Sequence, residues 1–122
     1  PQANLAPPVD HPDRGRYLYW MLFTPGVIEP SMAEKFNDWK PNPTQHGWGS
    51  FELMIETLEQ GLNPGPWLLG DEFSAADVLV GSSLNFMRMF GVLPDKPLLS
   101  GYVDRCLARP AYARALAREP SD

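Results

Sequence analysis

Residues 73–87 constrain the fold of this chain more than any other part of the sequence. Ser74 is a preferred helix N-cap, and Asp77 is spaced to return a hydrogen bond to the Ser74 backbone, as in a capping box. Phe73 and Val78 occupy the two positions of a hydrophobic staple. Between Val78 and Met87 no residue is charged. A helix that is apolar on every side is buried on every side, so we predict that this helix is the core of the domain.

The first helix is predicted over residues 14–24, with Asp10 as its N-cap. Pro25 should kink it, because proline removes a backbone donor, and the helix should resume over residues 29–39. The apolar side chains fall on two faces, so this helix is predicted to contact two surfaces at once. These faces are Tyr17, Trp20, Met21 and Thr24 on one side, and Leu18, Leu22 and Pro25 on the other.

The remaining helices are predicted from apolar residues that recur with the helical period of 3.6 residues. One of them has an apolar stripe opposite a row of glutamates and ends near Gly61. Another begins after Asp95 as its N-cap, and the last begins at Pro110. The sequence has no strand-period segment, Gly-rich phosphate loop or internal repeat. We therefore predict an all-α bundle of five to six helices around a central buried helix. The stripe of the clearest helix is Phe51, Met54, Ile55, Leu58 and Leu62.

The length of 122 residues fits one hydrophobic core. Residues 1–9 end in a Pro-stiffened extended segment and are predicted to be a linker, and residues 10–122 to be the helical domain. The sequence starts without methionine or a signal-peptide pattern, so we expect a fragment of a longer protein. With Cys106 as the only cysteine, the chain suits a reducing cytoplasm.

Composition and spacing argue against several kinds of site. The net charge is −5, and the charged residues are scattered along the chain, whereas a nucleic-acid-binding surface needs clustered lysine and arginine. No apolar run approaches the length of a membrane span. His11 and His46 have no metal ligand at suitable spacing. Ser74 is better explained as a cap than as a nucleophile, and Cys106 as a small core residue than as a reactive thiol. No catalytic constellation is visible.

Aromatic and methionine residues of two helices suggest an apolar ligand pocket, since such side chains adapt to varied apolar ligands. For any single residue, core packing is the favoured alternative. The residues are Tyr17, Trp20, Met21 and Phe23 on the first helix and Phe86, Met87, Met89 and Phe90 on the central one.

Three segments, in order along the chain, resemble glutathione transferases. Residues 65–77, which contain the Ser-x-x-Asp box, are similar to the segment that leads into the central helix of the family's C-terminal domain. Residues 102–112, around an Ala-Arg-Pro turn, resemble its last helices, and residues 16–21 look like the start of its first helix in bacterial members. The sequence is thus similar to the C-terminal domain of a bacterial-type glutathione S-transferase.

This resemblance implies a dimeric, two-domain enzyme that conjugates glutathione to electrophiles. The glutathione-binding, thioredoxin-like N-terminal domain supplies the catalytic residue in this family, and no position here matches it. The chain alone is therefore expected to be inactive and to bind no cofactor, with glutathione as co-substrate of the full-length protein. By their position in the family's helical domain, five residues are expected to form the wall of the site that binds the hydrophobic electrophile. Trp20 is expected to face either the core or the partner subunit. The wall residues are Tyr17, Met21, Thr24, Phe86 and Met89.

Two alternatives to the enzyme remain open. Transferase-like helical domains also serve as non-catalytic protein-interaction modules, and a free-standing carrier of apolar ligands is a third possibility. In all three, Ser74 and Asp77 are expected to fix the start of the central helix, each contributing about 1–2 kcal/mol.

Overall fold

Six α-helices and one π-helical segment make up the regular structure of residues 3–119, the part of the chain that this computed structural model describes. No strand forms within these residues, so the predicted all-α fold is confirmed. Residues 1, 2 and 120–122 of the predicted linker and domain lie outside the described part. The elements are α1 (Arg14–Phe23), the π-helical segment (Thr24–Ile28), α2 (Glu29–Phe36), α3 (Phe51–Gly61), α4 (Ala75–Met89), α5 (Pro97–Leu107) and α6 (Pro110–Leu116).

Pro25 widens the first helix instead of interrupting it. The π-helical segment joins α1 directly to α2, and its closing bond runs from the Glu29 N–H to the Thr24 carbonyl. A wider turn of this kind absorbs a residue that has no N–H to donate. The helix then ends at Phe36, earlier than the predicted residue 39, where the Asn37 side chain donates to the Ala33 carbonyl.

The apolar stripe predicted for α3 is confirmed, whereas the caps predicted for α1 and α5 are wrong. Ser50 caps α3 by accepting from the Leu53 N–H at 3.2 Å, and the whole predicted apolar stripe of this helix is buried. Asp10 and Asp95 do not cap α1 and α5, whose N-caps are Asp13 and Lys96. In α5 the fixed φ of proline suits the first helical position, so Pro97 sets the start two residues after Asp95.

The central helix is α4, which packs against both α1 and α5. Its approach to α5 is close, because a Cβ on Gly81 would lie 2.7 Å from the Cys106 sulfur. The expectation that α4 is buried on every side is nevertheless wrong. One strip of the helix is exposed, and within it Phe86 is 43% and Met89 74% exposed.

Candidate functional site

Three exposed aromatic side chains meet where α2 and α4 end, and the exposed Met89 lies one helical turn after Phe86 on α4. We call these four residues the aromatic patch: Phe36, Phe86, Met89 and Phe90. The ring centroids of Phe86 and Phe90 lie 4.5 Å apart. The Phe36 ring meets both edge-on, with centroids 6.2 Å from Phe86 and 6.0 Å from Phe90. Clustered exposed aromatic side chains mark surfaces that bind apolar groups, and methionine adds an adaptable contact.

The five residues predicted to form the electrophile wall lie in different environments. Phe86 and Met89 belong to the aromatic patch, Met21 is half-buried against the core, and Tyr17 and Thr24 are buried. Their common role in binding stays a prediction. The sequence reasoning did not include Phe36 in the wall, although it completes the ring cluster of Phe86 and Phe90.

The sequence predicts that Trp20 faces either the core or a partner subunit, and the structure places it in the core. It is buried, and its ring packs edge-on against Phe23 with centroids 4.9 Å apart. A Cβ on Gly61 would collide with the Trp20 ring, so α1 and the end of α3 touch closely at this point.

Asp77 is the polar centre of the domain. Its carboxylate is fully buried and accepts from the Ser74 N–H at 3.0 Å, which completes the capping box at the start of α4. The same carboxylate accepts from the Leu68 N–H at 3.0 Å and from the Tyr102 hydroxyl at 2.8 Å. Burial and the adjacent Asp77 raise the pKa of Tyr102 far above its ordinary value, so its hydroxyl stays a donor. Asp77 thus joins three parts of the chain and offers no free oxygen for catalysis.

Cys106 lines a groove of about 350 Å³ between α4 and the last two helices. The groove also includes Phe73 and Asn85, and the Arg109 guanidinium stacks 3.4 Å above the centroid of the Phe73 ring. Burial and, secondly, Asp77 raise the pKa of the Cys106 thiol to about 11. Because the thiolate is the reactive form, the structure supports a packing role for this cysteine.

The raised pKa predicts slow alkylation of Cys106. At pH 8 a thiol with a pKa of about 11 is about one part in a thousand thiolate. We expect iodoacetamide to modify the native chain at least tenfold more slowly than the same chain in urea, as followed by mass spectrometry. Equal rates in the two conditions would contradict the raised pKa.

A second buried carboxylate, Glu34, holds the connection between α2 and α3, and the sequence reasoning missed it. Only 2% of Glu34 is exposed. It accepts from the indole N–H of Trp48 at 3.1 Å and from the Phe51 N–H, at the start of α3, at 3.3 Å. The Nδ1 atom of His46 lies 3.3 Å from the same carboxylate, and its ring stacks on Trp48. We call Glu34, His46 and Trp48 the Glu34 cluster.

The hydrogen bonds of the Glu34 cluster decide its charge state. Burial pushes the pKa of Glu34 upward, but the bonds from Trp48, Phe51 and His46 outweigh it, so the pKa lies below its ordinary value. A carboxylate at the N-terminus of α3 is also favoured by the helix dipole. Glu34 therefore acts as an ionised anchor for the segment that connects α2 to α3.

Residues 3–119 contain no group of three or more histidine, cysteine, aspartate or glutamate side chains arranged to hold a metal ion. Across the same residues, no helix has both the length and the apolar character that crossing a membrane requires.

The fold is thus an all-α bundle with an exposed aromatic patch. The family comparison is more specific: residues 29–117, more than half of the chain, match the glutathione S-transferase C-terminal domain. The chain belongs to the glutathione S-transferase family, as the resemblance in its sequence indicated. No curated protein matches the sequence.

Two solved structures share the fold. A glutathione transferase from Methylococcus capsulatus strain Bath is 29% identical, with a TM-score of 0.70, and the match covers 93% of this chain and 58% of that one. BphK, a bacterial glutathione transferase solved as a ternary complex, is 24% identical with a TM-score of 0.74 and the same coverage. The chain thus spans a little over half the length of these transferases.

Proposed function

We propose that this chain is the part of a cytoplasmic glutathione transferase that binds the hydrophobic electrophile and takes part in dimerisation. In the full-length protein, a thioredoxin-like N-terminal domain would bind glutathione and supply the catalytic residue. The chain itself would then be inactive in conjugation. The transfer reaction is a detoxification: the glutathione sulfur attacks the electrophile, forms a carbon–sulfur bond and displaces the leaving group, while the thiol proton is released.

The aromatic patch is the observation that carries the proposal. Phe36, Phe86 and Phe90 expose rings on one side of the bundle instead of burying them, which leaves apolar surface for an electrophile or a neighbouring domain. The family membership supports the same function, because this family's helical domain contributes the electrophile wall.

Replacing Phe86 with alanine should weaken electrophile binding. In the full-length protein we expect KM for a chlorinated dinitrobenzene to rise about three- to tenfold, because one aromatic contact is worth about 0.5–1.5 kcal/mol. KM for glutathione should stay unchanged, since the patch is assigned to the electrophile alone. The measurement is steady-state conjugation kinetics with each substrate varied in turn.

Leu116→Ala is the matched control, because Leu116 is similarly exposed but lies on α6. It should leave both KM values unchanged. Unchanged kinetics in Phe86→Ala would contradict the wall assignment. A full-length protein that shows no conjugation but loses a protein partner on Phe86→Ala would instead favour an interaction module.

A further inference from the structure

The extended segment before α1 is attached to the central helix, although the two are about 70 positions apart in sequence. The carbonyl of Leu5 accepts a hydrogen bond from the Ala75 N–H at 2.7 Å. Ala75 is the first residue of α4. One N–H group at the start of the central helix therefore has its hydrogen-bond partner outside the capping box, in the segment before α1.

The first four N–H groups of an α-helix have no partner within the helix and need one elsewhere. In α4 the Ser74 hydroxyl accepts from the Ala76 N–H, and the Ser74 carbonyl accepts from the N–H groups of Asp77 and Val78. The Ala75 N–H is the remaining donor, and Leu5 is its partner. Without that carbonyl, Ala75 would have to find water in a partly buried position.

Further contacts hold the same segment. The guanidinium of Arg14, on α1, donates to the Pro7 carbonyl at 2.9 Å. The fixed φ of Pro7 stiffens the backbone between the two anchor points, and the fixed φ of Pro8 stiffens it directly after the second one. At the other end, Asn4 has a φ of +49°, a left-handed conformation that asparagine tolerates better than most residues, so the chain turns just before the anchor.

We infer that residues 4–8 form a strap, clamped to α4 through the Leu5 carbonyl and to α1 through the Pro7 carbonyl, that fixes the direction of the chain preceding it. A linker of the same length without these bonds would be a flexible tether. In the proposed transferase, and resting on that proposal, the strap would hold the glutathione-binding domain in one orientation relative to α4.

Nuclear magnetic resonance relaxation of the 122-residue chain tests the clamp directly. For a clamped strap we expect backbone order parameters of about 0.8 at Asn4, Leu5 and Ala6, near those of the helices. A flexible tether would give values below about 0.6. Low values in the unmodified chain would overturn the inference without any variant.

Ala75→Pro removes the single N–H that binds the Leu5 carbonyl. Proline is favoured at the first helical position, as Pro97 and Pro110 show in α5 and α6, and the extended conformation of Ser74 is suitable before a proline. The order parameters of residues 4–6 should fall below about 0.6 in this variant. Ala75→Ser keeps the N–H and should leave them unchanged.

Deleting residues 1–6 in both backgrounds gives a second measurement. The deletion should lower the folding equilibrium constant about fivefold more in the wild-type chain than in Ala75→Pro, which has no donor left to lose. Equal effects in the two backgrounds would overturn the clamp. Neither readout involves glutathione or an electrophile, so the strap and the transferase proposal can fail independently.

Discussion

Replacing Asp77 with alanine should lower the free energy of unfolding by about 3–5 kcal/mol and the melting temperature by roughly 10–20 °C. The carboxylate is fully buried and accepts from the Leu68 N–H, the Ser74 N–H and the Tyr102 hydroxyl. Alanine would leave these donors without their partner in the interior, and each such group costs about 1–3 kcal/mol. Thermal and urea unfolding, followed by circular dichroism, measure the loss.

Two controls separate the network from the cap and from surface charge. Ser74→Ala removes the hydroxyl that caps α4 and that also donates to Asp77 at 3.4 Å, but it keeps the three other bonds of the carboxylate and should cost about 1 kcal/mol. Asp104→Ala breaks an exposed pair with Arg88 and should cost less than about 1 kcal/mol. If Asp77→Ala fails to fold, Asp77→Asn retains the shape and reports the loss of charge. An Asp77 variant of normal stability with altered ligand affinity would contradict the structural role.

The capping function of Asp77 could be predicted from the sequence, but its full importance could not. The cap depends on the spacing of three residues between Ser74 and Asp77, which is visible in the sequence. The other bonds reach Leu68 and Tyr102, 9 and 25 positions away. Local spacing does not report such contacts, so the expected 1–2 kcal/mol was based on the cap alone.

The exposed strip of α4 shows a related difficulty. The apolar run predicted correctly that α4 is central, because Val80, Leu84 and Met87 are fully buried between α1 and α5. Sequence pattern reveals that a side chain is apolar, but not whether a neighbour covers it. The pattern therefore did not indicate that Phe86 and Met89 are exposed. For the same reason it did not indicate that Tyr17 and Thr24 are buried.

Glu34 was missed because its partners belong to a segment that the sequence marked only as a loop. One local signal was present: Glu34 follows Ile28 and Ser31 at helical spacing, and both of those are fully buried. A glutamate on a buried helix face requires hydrogen-bond partners. The position of His46 and Trp48 over that face depends on how the connection between α2 and α3 folds back, which the turn residues do not specify.

Replacing Glu34 with glutamine should lower the free energy of unfolding by about 2–4 kcal/mol at pH 7. The carboxylate accepts from Trp48, His46 and the Phe51 N–H, whereas an amide has one accepting oxygen and would place its NH₂ group against another donor. Urea unfolding gives the difference from the wild-type chain. Glu52→Gln, at an exposed position on α3, is the matched control and should change stability by less than about 0.5 kcal/mol.

The stabilising effect of Glu34 should also disappear in acid. Because the pKa of Glu34 is lowered from its ordinary value of 4.5 in the folded chain, the unfolded chain binds more protons as the pH falls below that value. The contribution is therefore complete above pH 4.5 and is lost as the pH drops through the lowered pKa. The stability difference between the wild-type chain and Glu34→Gln should stay constant from pH 6 to about pH 4.5 and shrink as the pH falls from there to pH 3. A constant difference over that range would mean that the hydrogen bonds of the Glu34 cluster do not favour the ionised carboxylate.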